Sequence, residues 1–240
     1  MSQASRFITK LTTTQKKFLA ELVGTFIVVT SATSSVVIDA KLGGILGIPF
    51  IACAPFIGVA ISVYLFSELS MAHFNPAVSI GYLITGHLRK NLLVCYFVAE
   101  IIGALLASIF VKYVIGTEAD LGANAPNYGF PIPVFFGIEV LASALLMAVI
   151  YLVVLTKGLK GFSGIAIGGI VGLDIFFFGL ISGASMNPAR SLAPALVSGY
   201  LGELWLYWTA TFVGTSIVAF MTRKNFKSPI KTGTHISKFS

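Results

Sequence analysis

Charge is scarce in this sequence. Charged residues make up 10% of its 240 positions, whereas a soluble domain carries about 25%, because it must cover its exterior with groups that water solvates. The shortage excludes a soluble globular domain and commits most of the chain to lipid. Cysteine is rare too. Cys53 and Cys95 are the only two, and both lie inside apolar runs; they read as small buried hydrophobes and not as a disulfide framework. The histidines, His73, His87 and His235, show no metal-ligand spacing. A phosphate-cradling glycine loop, a nucleophile elbow and a zinc pattern are all lacking, so no cofactor, no metal and no enzymatic activity are expected. Residues 1–17 are polar and basic, without a short apolar region leading to a small-residue cleavage site. The first apolar run is therefore read as a retained spanning helix and not as a removed signal peptide.

What is present is hydrophobic length. Apolar residues make up 56% of the chain, and its mean hydropathy is +0.92. Six long runs stand out: Phe18–Ile38, Ile45–Leu69, Leu92–Ile115, Pro131–Thr156, Phe162–Ile181 and Leu201–Met221. Each is long enough to cross the ~30 Å hydrocarbon layer as a helix. Shorter apolar stretches lie between the second and third runs and between the fifth and sixth, too short to span. The expected fold is an all-α membrane protein with six transmembrane helices and two re-entrant half-helices.

The formal charge of +7 raises nucleic acid as a partner, but its placement argues against one. If six helices alternate, Arg6, Lys10, Lys16, Lys17, Arg89, Lys90, Lys157, Lys160, Arg223, Lys224, Lys227, Lys231 and Lys238 share one side, and Lys41, Lys112 and Arg190 do not. That asymmetry is the positive-inside signal. It predicts a multi-pass protein of the cell membrane with cytoplasmic tails at 1–17 and 223–240.

The chain also repeats itself. Phe18-Leu-Ala-Glu21 is answered by Phe136-Gly-Ile-Glu139, Asn75-Pro76-Ala77 by Asn187-Pro188-Ala189, and Tyr96-Phe-Val-Ala-Glu100-Ile-Ile-Gly103 by Tyr207-Trp-Thr-Ala-Thr211-Phe-Val-Gly214. Each half, about 18–116 and 131–222, holds three spans. An odd number forces the second half to insert upside down, so the halves relate by a pseudo-two-fold axis in the membrane plane. The expectation is one channel domain over 1–240, since neither half could seal a pore alone.

Asn-Pro-Ala has a physical meaning at the start of a helix. Asn is a favoured N-cap, Pro suits the first helical position where no N–H is needed, and Ala is small enough for two such ends to touch. Asn75 and Asn187 are each expected to open a short helix, running to about Leu83 and Val197. One Asn-Pro-Ala is a weak signal; two at matching places in a membrane repeat are a strong one.

Here the sequence resembles the aquaporin, or major intrinsic protein, family, in its prokaryotic form. The resemblance covers about Phe18 to Ala219. It rests on Ala20-Glu21 with Gly24-Thr25, on Ala72-His73-Phe74-Asn75-Pro76-Ala77-Val78, and on Gly183-Ala184-Ser185-Met186-Asn187-Pro188-Ala189-Arg190-Ser191. It implies six tilted helices, half-helices meeting at mid-membrane, and a homotetramer with one pore per subunit. Facing N-termini would each place about half a positive charge at mid-pore, which repels cations and leaves water unhindered. Free N–H donors of Asn75 and Asn187 are expected to point into the lumen.

The resemblance also implies a selectivity filter of Arg190, Ile175, Ala184 and one position on the second helix. An ungapped count from Asn75 puts that position at Pro55, with Phe56 beside it; either residue fits. Strict water selectors usually carry His where this chain has Ile175. Glu21 and Glu139 are buried carboxylates, which in a membrane suggest function. By the resemblance they accept hydrogen bonds from the half-helix loops, with His73 near one of them. Glu100 stands where the family commonly has Gln, and Glu68 and Met71 also depart from its pattern. The reading is a passive channel for water and small neutral solutes. A glycerol-type facilitator is the alternative, disfavoured by Ser191 where such proteins usually carry Asp, and a proton-coupled transporter is the more distant one.

Overall fold

The computed structural model describes residues 11–156 and 158–224. Arg6, Lys10, Lys157, Lys227, Lys231, Lys238 and His235 lie outside the described residues. Within them the chain forms six helices long and apolar enough to cross a membrane, with two shorter helices and a five-residue left-handed helical turn, Glu118–Gly122, between. These are α1 (Thr13–Lys41), α2 (Gly47–Ser70), the short α3 (Pro76–Ile84), α4 (Lys90–Phe110), α5 (Ile132–Leu155), α6 (Ser163–Ser182), the short α7 (Pro188–Ser198) and α8 (Leu204–Thr222). A wider π-type turn, Val111–Ile115, extends α4, and a 3-10 turn, Lys160–Phe162, leads into α6.

The helices begin and end where local chemistry directs. α1 starts five residues before its apolar run, because Thr12 and Gln15 form a reciprocal capping box that satisfies the free N–H groups of the first turn. α8 starts three residues after its run begins; Leu201–Glu203 form a turn instead. Both α2 and α6 end on a left-handed residue, Met71 at φ 70° and Gly183 at φ 87°. That conformation turns the chain back into the membrane at matched places in the two halves.

The halves interlock. α3, from the first half, packs against α8 of the second, and α7, from the second half, packs against α4 of the first. Close approach of the long helices depends on small residues. A Cβ on Gly103 in α4 would sit 2.3 Å from the Leu22 carbonyl oxygen, and one on Gly214 in α8 would sit 2.3 Å from that of Val140. The same contact thus recurs in both halves at equivalent positions. Outward faces are apolar, with Leu65, Leu180 and Met221 largely exposed, as lipid requires. The cysteines are both free, but Cys53 is exposed on this outer face and Cys95 is half-buried. The expectation that both are buried therefore fails: an apolar run in a spanning helix has a lipid side as well as a core side.

Replacing Gly214 by Ala should lower stability. The helix-propensity gain of about 1 kcal/mol is outweighed by forcing two backbones apart, which typically costs 1–3 kcal/mol. Gly137→Ala is the control, since a Cβ there meets nothing within 4 Å. Thermal unfolding in detergent should show a lowered midpoint for Gly214→Ala and none for Gly137→Ala; equal midpoints would refute the close approach.

Candidate functional site: a cavity through the centre of the bundle

Two loops, 71–75 and 183–187, enter the bundle from the ends of α2 and α6 and stop at the starts of α3 and α7. Their backbones match residue for residue. Met71, Ala72 and Phe74 have positive φ, as do Gly183, Ala184 and Met186. Five of these six carry side chains, and each such residue held left-handed costs about 1–3 kcal/mol. The compensation comes from two buried carboxylates. Glu21 accepts the His73 N–H at 3.1 Å and the Phe74 N–H at 2.6 Å. Glu139 accepts the Ser185 N–H at 3.0 Å, the Met186 N–H at 3.2 Å and the Ser182 hydroxyl at 2.8 Å. Tyrosines close the outer side of each loop: the Tyr96 hydroxyl donates to the Ser70 carbonyl at 2.7 Å and that of Tyr207 to Ser182 at 2.5 Å.

Each loop delivers an asparagine to the start of a short helix. Asn75 Oδ1 accepts the Ala77 N–H at 2.9 Å, and Asn187 Oδ1 accepts that of Ala189 at 3.0 Å, with Pro76 and Pro188 at the first helical position. The amide nitrogens then cross over. Asn75 Nδ2 donates to the Met186 carbonyl at 2.8 Å, and Asn187 Nδ2 donates to the Phe74 carbonyl at 2.9 Å. The two half-helices are thus tied N-terminus to N-terminus, and the expectation of wholly free amide donors changes. Each –NH2 group has two hydrogens; one holds the opposite loop and one is left over.

A cavity passes this junction. Its walls are apolar where long helices face it: Val28 and Ala32 from α1, Pro55, Val59 and Val63 from α2, Leu146 and Ile150 from α5, and Ile167, Val171 and Ile175 from α6. Its polar side is built by the two loops and helix starts, with His73, Asn75, Ala184, Ser185, Asn187 and Arg190. Of the two candidates on α2, Pro55 lines the cavity. Phe56 points elsewhere and packs on α6, where a Cβ on Gly172 would meet its side chain at 3.1 Å. One residue rotates a helix position by about 100°, enough to send neighbours to different faces.

Arg190 is buried, and its guanidinium donates to Asn124 Oδ1. Asn124 lies in the segment between α4 and α5. Its Oδ1 also accepts the Ser191 hydroxyl at 3.0 Å, and its Nδ2 donates to the Gly183 carbonyl at 3.1 Å. Asn127 pins the same segment, its backbone N–H donating to the Ile181 carbonyl at 2.9 Å. Sequence reasoning missed Asn124, which sits in an irregular polar stretch with neither periodicity nor a repeat partner. Behind the first half-helix, Ser79 Oγ lies 2.8 Å from His73 Nδ1 and 2.8 Å from Glu100 Oε1. In the second half Ser185 and Ser191 take the places of His73 and Ser79, and their hydroxyls bond each other.

The family model described as Major intrinsic protein matches residues 8–222. The chain belongs to that family. Members of the major intrinsic protein family are passive channels and not enzymes. Among curated relatives, Aquaporin NIP3-1 of Arabidopsis thaliana is 37% identical over 206 residues, covering 83% of this chain and 64% of that protein. Nodulin-26 of Glycine max is 31% identical over 200 residues, covering 83% of this chain and 73% of that one. The chain therefore spans about two thirds of the length of such relatives, as it does for Aquaporin NIP1-2 of rice at 67%. Among solved structures, the aquaglyceroporin from Plasmodium falciparum superposes with a TM-score of 0.75 at 21% identity, covering 88% of this chain and 96% of that one. At that identity the likeness establishes the fold.

Asn124→Ala should cost stability, because it removes the neutral acceptor of a buried guanidinium. A hydrogen bond to a charged group contributes about 1.5–3 kcal/mol. The denaturation midpoint in detergent should fall for Asn124→Ala and recover most of the loss in Asn124→Asp, which restores an acceptor. A wild-type midpoint for the alanine variant would show that Arg190 does not depend on this contact.

Proposed function

We propose that this chain is a passive channel for water and small neutral solutes, in which the tied half-helices exclude cations and Arg190 selects at one end. The carrying observation is the reciprocal pair of Asn–carbonyl bonds within a cavity that has one apolar wall and one polar stripe. Two helix N-termini converge there, each equivalent to about half a positive charge, with no carboxylate among the cavity-lining residues. A cation meets repulsion with nothing to replace its hydration shell, whereas water gives its oxygen to the remaining amide hydrogens.

The reading extends to width and setting. Pro55, Ile175 and Ala184 surround Arg190 in the filter, and none of them brings an aromatic ring or a polar side chain. Such a filter suits a solute with a carbon face and hydroxyl groups, glycerol for example, as well as water. The Plasmodium neighbour, an aquaglyceroporin, agrees with this breadth. Glu21 and Glu139 spend both oxygens on backbone N–H groups, which supports a scaffolding role and takes away the groups a proton-coupled transporter would use. The molecule works as one unit of two inverted repeats, in a cell membrane with cytoplasmic termini, and assembles as a homotetramer with lipid around it.

Light scattering by proteoliposomes tests the proposal directly. Vesicles carrying the protein should swell faster than empty ones in both water and glycerol gradients, and the rate should not saturate. Ile175→His should narrow the cavity and add a polar group, so glycerol flux should fall severalfold more than water flux. Equal falls, or none, would remove Ile175 from the constriction; no flux above empty vesicles would overturn the channel reading.

A further inference from the structure

The cluster behind the first half-helix contains more chemistry than a scaffold needs. His73 Nδ1, Ser79 Oγ and Glu100 Oε1 form a chain with two contacts of 2.8 Å. Two contacts need two hydrogens, and the Ser79 hydroxyl supplies one. The other comes either from His73 Nδ1 or from Glu100 as a carboxylic acid. Glu100 is fully buried, with the Asn75 backbone N–H close to its carboxyl; its Oε2 and His73 Nε2 have no hydrogen bond of good geometry among the described groups. Nearby, Glu21 is equally buried and uses both oxygens to accept backbone N–H groups. That arrangement gives both Glu21 oxygens acceptor roles, which favour the ionised form there over one at Glu100. Two carboxyl groups sharing one buried region do not both ionise without a large penalty, so the hydrogen belongs on Glu100.

The second half shows that a carboxyl is not needed to hold a half-helix. The position matching Glu100 is Thr211, also buried, whose hydroxyl donates to the Tyr207 carbonyl of its own helix at 2.6 Å. Serine hydroxyls there do what His73 and Ser79 do in the first half. The ionisable chain is thus an addition on one side of the repeat.

We propose that Glu100 is a proton-binding site: it holds a proton as a neutral carboxylic acid and, through Ser79 and His73, latches the first half-helix, so that flux through the channel depends on pH. With the proton in place Glu100 donates to Ser79, Ser79 donates to His73 Nδ1, and the imidazole hydrogen sits on Nε2. On loss of the proton Glu100 gives its hydrogen to Ser79 Oγ, Ser79 gives its own to His73 Nδ1 and the hydrogen on Nε2 passes to water in the cavity that His73 lines, which leaves a neutral imidazole and a carboxylate that accepts from Ser79. No other bond changes. The second negative charge then repels Glu21, which holds loop 71–75, and the loop loosens.

Few groups face Glu100. From α1 there is Glu21, with Lys17 one turn earlier; from the loop and α3, His73 and Tyr82, whose rings stack 4.3 Å apart. From its own helix there is Tyr96, and Cys95 lies nearer Glu21. From α7, which also packs on α4, the charged residue is Arg190, whose guanidinium is taken up by Asn124.

The flux part of the test rests on the channel reading; the proton part does not. Infrared spectra of the protein in lipid should contain a carboxylic C=O band that is present at mildly acidic pH, fades in alkaline buffer and is missing in Glu100→Gln. Wild-type liposome flux should fall severalfold across the same range. Glu100→Gln, a neutral isostere, should conduct with a flat profile, and Glu100→Thr, which copies the second half, should do the same should the glutamine variant fold poorly. The proposal is overturned by an absent Glu100 band in folded protein, by a flat wild-type profile, or by a wild-type profile in both variants. Protein with the band but no flux at any pH would overturn the channel reading instead.

Discussion

The structure depends on two hydrogen bonds that cross its centre. Asn75 and Asn187 each cap their own half-helix with Oδ1 and hold the opposite loop with Nδ2. Neither a serine nor an aspartate at these positions could do both, because the first job needs an acceptor and the second a donor on one planar group. An asparagine amide offers both at a fixed angle. The pairing also fixes depth: each half-helix begins where the other begins, near the middle of the bundle, and the spans around them must leave room for both.

That central tie needs left-handed backbone at residues that do not favour it, and here the buried carboxylates enter. Glu21 and Glu139 sit on α1 and α5 and reach the loops by accepting backbone N–H groups on both oxygens. A carboxylate inside a membrane protein is expensive unless its oxygens are filled. In this fold the loops' strain and the carboxylates' burial are relieved by the same bonds, and the tyrosines on α4 and α8 complete each loop from behind. The irregular backbone is tolerable at this depth because it borders a cavity and not lipid.

The architecture was legible in the sequence because it is written in long apolar runs and in a motif that occurs twice. Asn75, Asn187, Glu21 and Glu139 could be singled out from local chemistry and repeat position alone. Finer features were not legible, for physical reasons. Pro55 and Phe56 differ by one step around a helix that contains a proline, and only the packing of α2 on Gly168 and Gly172 decides which faces inward. Asn124 bonds Arg190 across 66 positions of sequence, a tertiary contact that leaves no periodic trace. The use of one amide hydrogen per asparagine for the crossed tie could not be inferred from capping rules, which concern only the oxygen. Cys53 looked buried because an apolar run does not reveal which side meets lipid.

In the proposed channel, convergent half-helices make the middle of the pore positive and so keep cations out. Asn187→Asp tests it most directly, because aspartate still caps a helix well while placing a negative charge where two positive helix ends meet. Proton and monovalent-cation leak should be measured on Asn187→Asp proteoliposomes with a pH-sensitive dye and by planar-bilayer conductance, alongside water flux as evidence of folded protein. Water should still pass, and a cation conductance should rise above the wild-type baseline. Water-conducting Asn187→Asp vesicles as ion-tight as wild type would contradict it.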